Sequence, residues 1–278
     1  MTAALPTGPP AVPILVIGDL RRREFREAAE AIRHGGDVMT VPSLSEAEDA
    51  LATGRAQAAV IVLAQAYPGQ FPARAVGRLR ALAPLARVVG LLGSWCEGEA
   101  RSGSPWPAAI RVYGHQWVAV WESELGRLRS GAATSWALPV TASEEERILF
   151  QASGPLREAP GRRGGVVAAA TPSLEMYELL SAICRRRGLS VAWLRPDRPC
   201  RLDGAAAVLF DATDLNGAER SALRRIGEQL RPARTVVLMD FPRVEDRARA
   251  RTAGAVAVIS KPFSLEAVDW HLDRVLDG

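Results

Sequence analysis

Short apolar runs alternate with amphipathic stretches along this chain, and the alternation occurs twice. In the first half, Pro13–Ile17 is apolar throughout and of strand length, which predicts a strand buried on both faces. Arg21–His34 has helical periodicity and is closed by Gly35-Gly36, a helix and its stop. Val38–Val41 is the next strand, and Ser43 with Glu46 has the spacing of a capping box for a short helix ending near Gly54. Ala58–Leu63, Val88–Leu92 and Ala109–Tyr113 predict three further strands, with helices at Ala73–Ala83 and Trp117–Arg129.

The second half repeats the order. Val166–Ala170, Val191–Leu194, Ala206–Phe210, Val236–Met239 and Val256–Ser260 predict strands. Thr171-Pro172 is the expected cap of a helix running to Gly188, with Pro at the first helical position. Helices follow at Ala218–Leu230, Val244–Ala253 and Leu265–Leu276. Pro196 and Pro199 interrupt the segment before Ala206, so one helix of the plan is expected to be missing there. Wholly apolar strands alternating with helices imply parallel sheets covered on both faces. The expected fold class is therefore α/β, with two flavodoxin-like, doubly wound, five-stranded parallel-sheet domains in tandem. Their expected limits are 12–129 and 165–277. The segment 130–164 is expected to be a linker, in which Ser143 with Glu146 can start a short helix, and Gly161–Gly165 is a flexible basic stretch.

The 278 residues, 48% of them hydrophobic and 24% charged, suffice for two ordinary cores. A net charge of +4, spread among acids, is not that of a dedicated nucleic-acid binder, and no helix-turn-helix, zinc finger or aromatic stacking platform is present. Three unpaired-looking cysteines (Cys96, Cys184, Cys200) argue against a disulfide framework and for a reducing, cytoplasmic setting. The run Ile14–Ile17 is too short for a signal core or a membrane span. No membrane partner is expected. His34 and His271 fall at or within helices, and Arg185-Arg186-Arg187 ends one, where cations suit the macrodipole.

The segment Gly254-Ala255-Val256-Ala257-Val258-Ile259-Ser260-Lys261-Pro262-Phe263 carries a resemblance. It is similar, without a gap, to the Gly-Ala, fifth-strand, Lys-Pro-Phe pattern of response-regulator receiver (CheY-like) domains. Asp211, directly after the third strand of the second copy, stands where that family places its phosphorylated aspartate. Lys261 is the only lysine in a chain that otherwise uses arginine, as expected where a compact ammonium must reach one carboxylate. The resemblance also implies an acidic pair after the first strand to hold Mg²⁺. Here Ala169-Ala170-Thr171 stands in that place, with Glu175 too far along the helix to substitute. The family's Ser/Thr after the fourth strand is replaced by Asp240, and its aromatic switch position by Val258. A carboxylate facing an aspartyl phosphate at about 4 Å would oppose it by about 4 kcal/mol per charge pair. Lys261 and Pro262 thus resemble receiver residues in a site whose metal and switch positions have changed. The first copy resembles the family only in element order. Asp19 is a candidate remnant of the acidic pair, Ala64-Gln65 replaces the aspartate, and Tyr113-Gly114-His115 replaces the Lys-Pro.

The first copy has a dense group of special residues instead. Trp95, Cys96, Glu97, Glu99 and Arg101 follow its fourth strand, Trp106 precedes the fifth, and Tyr113, His115 and Trp117 end it or follow it. In a parallel sheet these leave one C-terminal edge, where doubly wound folds bind ligands. Three readings stand side by side: loop packing by the tryptophans, a partner-binding surface, and a zinc site or nucleophile–base pair built on Cys96, His115 and a carboxylate. The expected function is a non-catalytic signalling or scaffold protein of tandem pseudo-receiver domains, acting through protein contacts without phosphorylation or cofactor. A homodimer would use the face of the family's fourth helix, fifth strand and fifth helix. The alternatives are a regulator phosphorylated on Asp211 with Mg²⁺, and a metal protein or enzyme centred on Cys96 and His115.

Overall fold

The structure is a computed structural model describing residues 11–99, 106, 109–139, 141–142, 146, 150, 164–198 and 202–277. It divides into two compact units, Met1–Gln151 and Ala152–Gly278. In the first, strands β1 (Pro13–Ile17), β2 (Asp37–Val41), β3 (Val60–Gln65), β4 (Arg87–Leu92) and β5 (Ile110–Tyr113) form one sheet in the order β2-β1-β3-β4-β5, every pair parallel. Its helices are α1 (Arg26–Arg33), α2 (Leu44–Ala52), α3 (Ala73–Leu82) and α4 (Trp117–Ser130). Alternate residues of each strand point to opposite faces. Ile14, Val16, Val60 and Val62 pack beneath α1 and α4, and Leu15, Ile17, Ile61 and Leu63 beneath α2 and α3.

The second unit has the same plan. Its sheet is β7 (Ser190–Leu194), β6 (Val166–Ala170), β8 (Ala205–Ala212), β9 (Arg234–Asp240) and β10 (Ala255–Lys261), in that order and all parallel. Helices α5 (Leu174–Arg186) and α8 (Leu265–Asp277) cover one face through Leu180, Ile183, Cys184, Val268 and Leu272. Helices α6 (Gly217–Gln229) and α7 (Val244–Thr252) cover the other, over Val208, Phe210, Val237 and the buried Val258. Burying a side chain such as Phe210 contributes about 2–3 kcal/mol. Among the described residues no helix stands between β7 and β8. Arg187 at the end of α5 packs against α8, held by Asp269 and Asp273. Two five-stranded, doubly wound α/β units therefore lie in tandem.

Three local expectations need correction. Asp19 Oδ1 accepts the Arg21 N–H at 3.0 Å, a turn that holds the arginines out of the helix. A single 3₁₀ turn (Arg23–Phe25) then precedes α1, which starts at Arg26 rather than Arg21. The cap of α5 is Ser173, whose Oγ accepts the Met176 N–H at 3.1 Å, so Pro172 lies outside the helix. Thr171 extends β6, its N–H donating to the Leu194 carbonyl. Trp136, beyond the expected limit at 129, is buried against Trp121 in the first unit's core. Nearby, the buried Glu124 carboxylate accepts from the Thr134 and Ser135 hydroxyls. The linker readings from 143 to 163 lie outside the described residues, apart from 146 and 150.

Candidate functional site

Parallel strands all end at one edge of a sheet, so the residues at or just past the C-terminal ends of β6, β8, β9 and β10 gather there. In the second unit they are Thr171, Asp211, Asp240 and Lys261. Lys261 Nζ donates to Asp211 Oδ1 at 2.7 Å, and Thr171 Oγ1 donates to Asp211 Oδ2 at 2.7 Å. Both oxygens of one carboxylate are thus engaged, in a place where the Asp211 side chain is 10% exposed and that of Lys261 15%. Asp240 Oδ1 lies 3.5 Å from the same ammonium and is 47% exposed, so Lys261 stands between the two acids. The Lys261–Pro262 peptide is cis. Trp193 Nε1 donates to the Thr171 carbonyl at 2.9 Å, and its ring stacks on Tyr177 with centroids 5.0 Å apart. A chain of contacts therefore runs from Trp193 through Thr171 and Asp211 to Lys261.

A divalent cation here would need several oxygen ligands on an open face of Asp211. The positions before Thr171 are the buried methyls of Ala169 and Ala170, and Thr171 already donates its hydroxyl to Asp211. Among the described residues no group of three His, Cys, Asp or Glu is placed to hold a metal ion. The donor set does not fit Mg²⁺. Val258, on the strand that ends in Lys261, is buried in the core and offers no ring to rotate.

The first unit treats the same edge differently. Strand register sets Gly18, Ala64, Gly93 and Gly114 in the places of Thr171, Asp211, Asp240 and Lys261. All four positions have lost their functional groups, and the vacated space is filled from the chain itself. Glu24 reaches over from the 3₁₀ turn, and its Oε2 accepts from the Ser94 N–H at 2.9 Å and the Ser94 hydroxyl at 3.1 Å. A Cβ on Gly93 would come within 2.8 Å of the Ala66 carbonyl and 2.9 Å of Glu24 Oε1, so this glycine is required by the close approach. Asp19, the candidate remnant acid, instead pairs with Arg21 at the surface. That hydrogen bond holds its carboxyl below the usual carboxylate range. Sequence reasoning missed Thr171 as a partner of Asp211 and missed Glu24 altogether. The available signal for the latter was glycine at three of the four strand ends.

The aromatic group of the first unit does not form one pocket. Trp106 is buried on the α2/α3 face, where its Nε1 donates to the Phe71 carbonyl at 2.8 Å. Trp117 is buried on the opposite face, stacked on Trp121. Cys96 is buried, its Sγ 3.6 Å from the Gln65 carbonyl, and burial pushes the thiol upward, away from a nucleophile's range. Glu99 is buried against Arg111 at 2.8 Å, and Gln65 Nε2 approaches it at 3.4 Å. His115 Nδ1 lies 3.7 Å from Glu97 and stacks on Tyr113. The metal or nucleophile site of the alternative reading, on Cys96 and His115, is therefore not assembled among the described residues, and Arg101 lies outside them. Trp95 alone of the three tryptophans is at the surface, 78% exposed.

No family model matches the sequence, and no curated protein matches it significantly. Solved structures similar in fold include a response regulator from Thermotoga maritima (20% identity, TM-score 0.35), which covers 41% of this chain and 99% of its own. A response regulator from Burkholderia multivorans (23% identity, TM-score 0.31) covers 41% and 95%. An atypical orphan response regulator, described as having a phosphorylation-independent regulatory mechanism (18% identity, TM-score 0.32), covers 40% and 95%. The assignment of two doubly wound units rests on the strand order and register given above. Among the described residues no helix is long and apolar enough to cross a membrane.

Proposed function

We propose that this chain is a non-catalytic signalling or scaffold protein that works through protein–protein contacts, without phosphoryl transfer. One observation carries the reading: both oxygens of Asp211 are held, one by the Lys261 ammonium and one by the Thr171 hydroxyl. A carboxylate that attacks phosphorus needs a free oxygen and a cation to neutralise the charge that develops. Asp211 has its partners already, alanines stand where metal-binding acids would be needed, and Asp240 adds a negative charge at the mouth. The pair then serves to pin the ends of β8 and β10 together, and the conformation it fixes is the one presented to partners. Self-association would use the face of α7, β10 and α8, where Val256 is exposed on the edge strand β10.

Intact-mass analysis after incubation with acetyl phosphate and Mg²⁺ tests the reading. The protein is expected to remain unmodified. A stoichiometric acyl phosphate that disappears in Asp211→Asn would overturn it.

A further inference from the structure

The segment from the end of β1 into the start of α1 carries four arginines in six positions, Arg21, Arg22, Arg23 and Arg26, with two acids among and before them, Asp19 and Glu24. Both acids are engaged elsewhere. Asp19 pairs with Arg21, and Glu24 is turned inward onto Ser94. Arg22, Arg23 and Arg26 are exposed, and none has a side-chain hydrogen bond or ion pair among the described residues; Arg22 feels Asp19 only at longer range. The helix does not favour these charges, since cations at the start of α1 oppose its dipole.

The clamp that turns Glu24 inward also ties the loop after β1 to the segment that carries Trp95. Ser94, held by Glu24, is the residue before Trp95, and Glu24 is the residue after Arg23. The Glu24–Ser94 contact thus joins the backbone next to Arg23 to the backbone next to Trp95, and the Trp95 indole is exposed, while Trp106 and Trp117 are core. Tyr67, 51% exposed, follows β3 at the same edge. Chains leave β1 and β3 toward opposite faces of the sheet, so the loops after these two strands flank the switch point of the fold, where doubly wound sheets open a crevice.

We propose that Arg22, Arg23, Arg26 and Trp95 form a docking face for an acidic segment of a partner protein, with an apolar or aromatic residue of that segment seated on Trp95. The proposal rests on the protein-binding reading above and adds the surface and the partner's chemistry. Guanidinium groups match carboxylates with paired, geometrically fixed hydrogen bonds, and Trp and Arg are the residue types that dominate binding energy at interfaces. A single-stranded nucleic acid is the less fitting occupant. It requires a continuous basic track with successive stacking rings, whereas among the described residues this edge offers one short arginine segment, with Trp95 and Tyr67 following different strands.

The test uses the full chain and an array of short synthetic peptides of Glu and Ser, each with one Trp or Leu, followed by anisotropy titration of the best binder. Arg22→Ser with Arg23→Ser is expected to weaken binding about tenfold or more, and Trp95→Ala similarly. Arg220→Ser with Arg224→Ser, on the exposed side of α6, is expected to leave binding unchanged. All these side chains are exposed, so circular dichroism should show intact folding throughout. No binding across the array, equal weakening by the α6 variant, or displacement of the peptide by oligothymidylate at lower concentration would each overturn the proposal. Binding is measured without Mg²⁺ or a phosphodonor and again in Asp211→Asn. Failure of the phosphorylation-independent reading would appear in the mass experiment, and failure of the docking face would appear here.

Discussion

Replacing Lys261 with methionine removes one charge from a largely buried pair while keeping most of the side-chain volume. At 2.7 Å the attraction between Lys261 and Asp211 is about 6 kcal/mol at an effective dielectric near 20. Most of it offsets the cost of taking both groups out of water, so the pair's net contribution is far smaller. Removing one partner is a different matter. It leaves a carboxylate that is 10% exposed with only the Thr171 hydroxyl, at a cost of about 3 kcal/mol. Asp240 is half exposed and loses little when its ammonium is gone. Among the described residues each unit contains one fully buried thiol, Cys96 in the first and Cys184 in the second, which makes pulsed alkylation a unit-by-unit stability assay. On a Cys200→Ser background, Lys261→Met is expected to raise the labelling of Cys184 about a hundredfold at fixed urea, with Cys96 as the reference. A change of less than about threefold at Cys184, or an equal change at Cys96, would refute the argument that Asp211 depends on its ammonium.

Other outcomes follow from the same geometry. Thr171→Val keeps shape but removes a hydrogen bond to a charged group, so unit-two stability should fall by about 1.5–3 kcal/mol in the Cys184 assay, with a shift in emission from Trp193, which bonds to the Thr171 carbonyl. Gly93→Ala forces a methyl against the Ala66 carbonyl and Glu24, and should destabilise unit one by about 1–3 kcal/mol, read as faster labelling of Cys96. Burial pushes the Cys184 thiol up to about 12 from its ordinary 9.0, favouring the neutral form in the folded unit. That contribution is fully present below pH 9.0 and is lost as pH rises towards about 12, so the unfolding midpoint should drop above pH 9.0 and should drop less in Cys184→Ala.

Much of this was legible in the sequence because buried parallel strands announce themselves. Val60–Ala64 and Val236–Met239 are apolar without interruption, and α2 begins at Ser43 in the expected way. The Asp211–Lys261 contact was legible too, because a solitary lysine after one strand and an aspartate after another fall at the same edge once the sheet is parallel. Thr171 was read as a helix cap because a hydroxyl before a helix serves equally well for capping or for reaching across the sheet. Only the position of Ser173 on the first free N–H groups of α5 decides between them. The tryptophans misled for a related reason. Residues close in sequence at a strand end fall on either face according to the path of the loop, and Trp106 and Trp117 went to opposite cores while Trp95 stayed outside. Glu24 was illegible because its partner Ser94 is seventy positions away.

Since Lys261 is the only lysine, supplying lysine labelled with ¹⁵N at Nζ gives a single side-chain ammonium resonance from the whole chain. That resonance observes the contact on which the central claim depends. A closed pair predicts a slowly exchanging ammonium signal that is lost in Asp211→Asn and unchanged when Mg²⁺ and acetyl phosphate are added together. A resonance that moves on adding Mg²⁺ and the phosphodonor, with the movement abolished in Asp211→Asn, would show Asp211 open to chemistry and contradict the account.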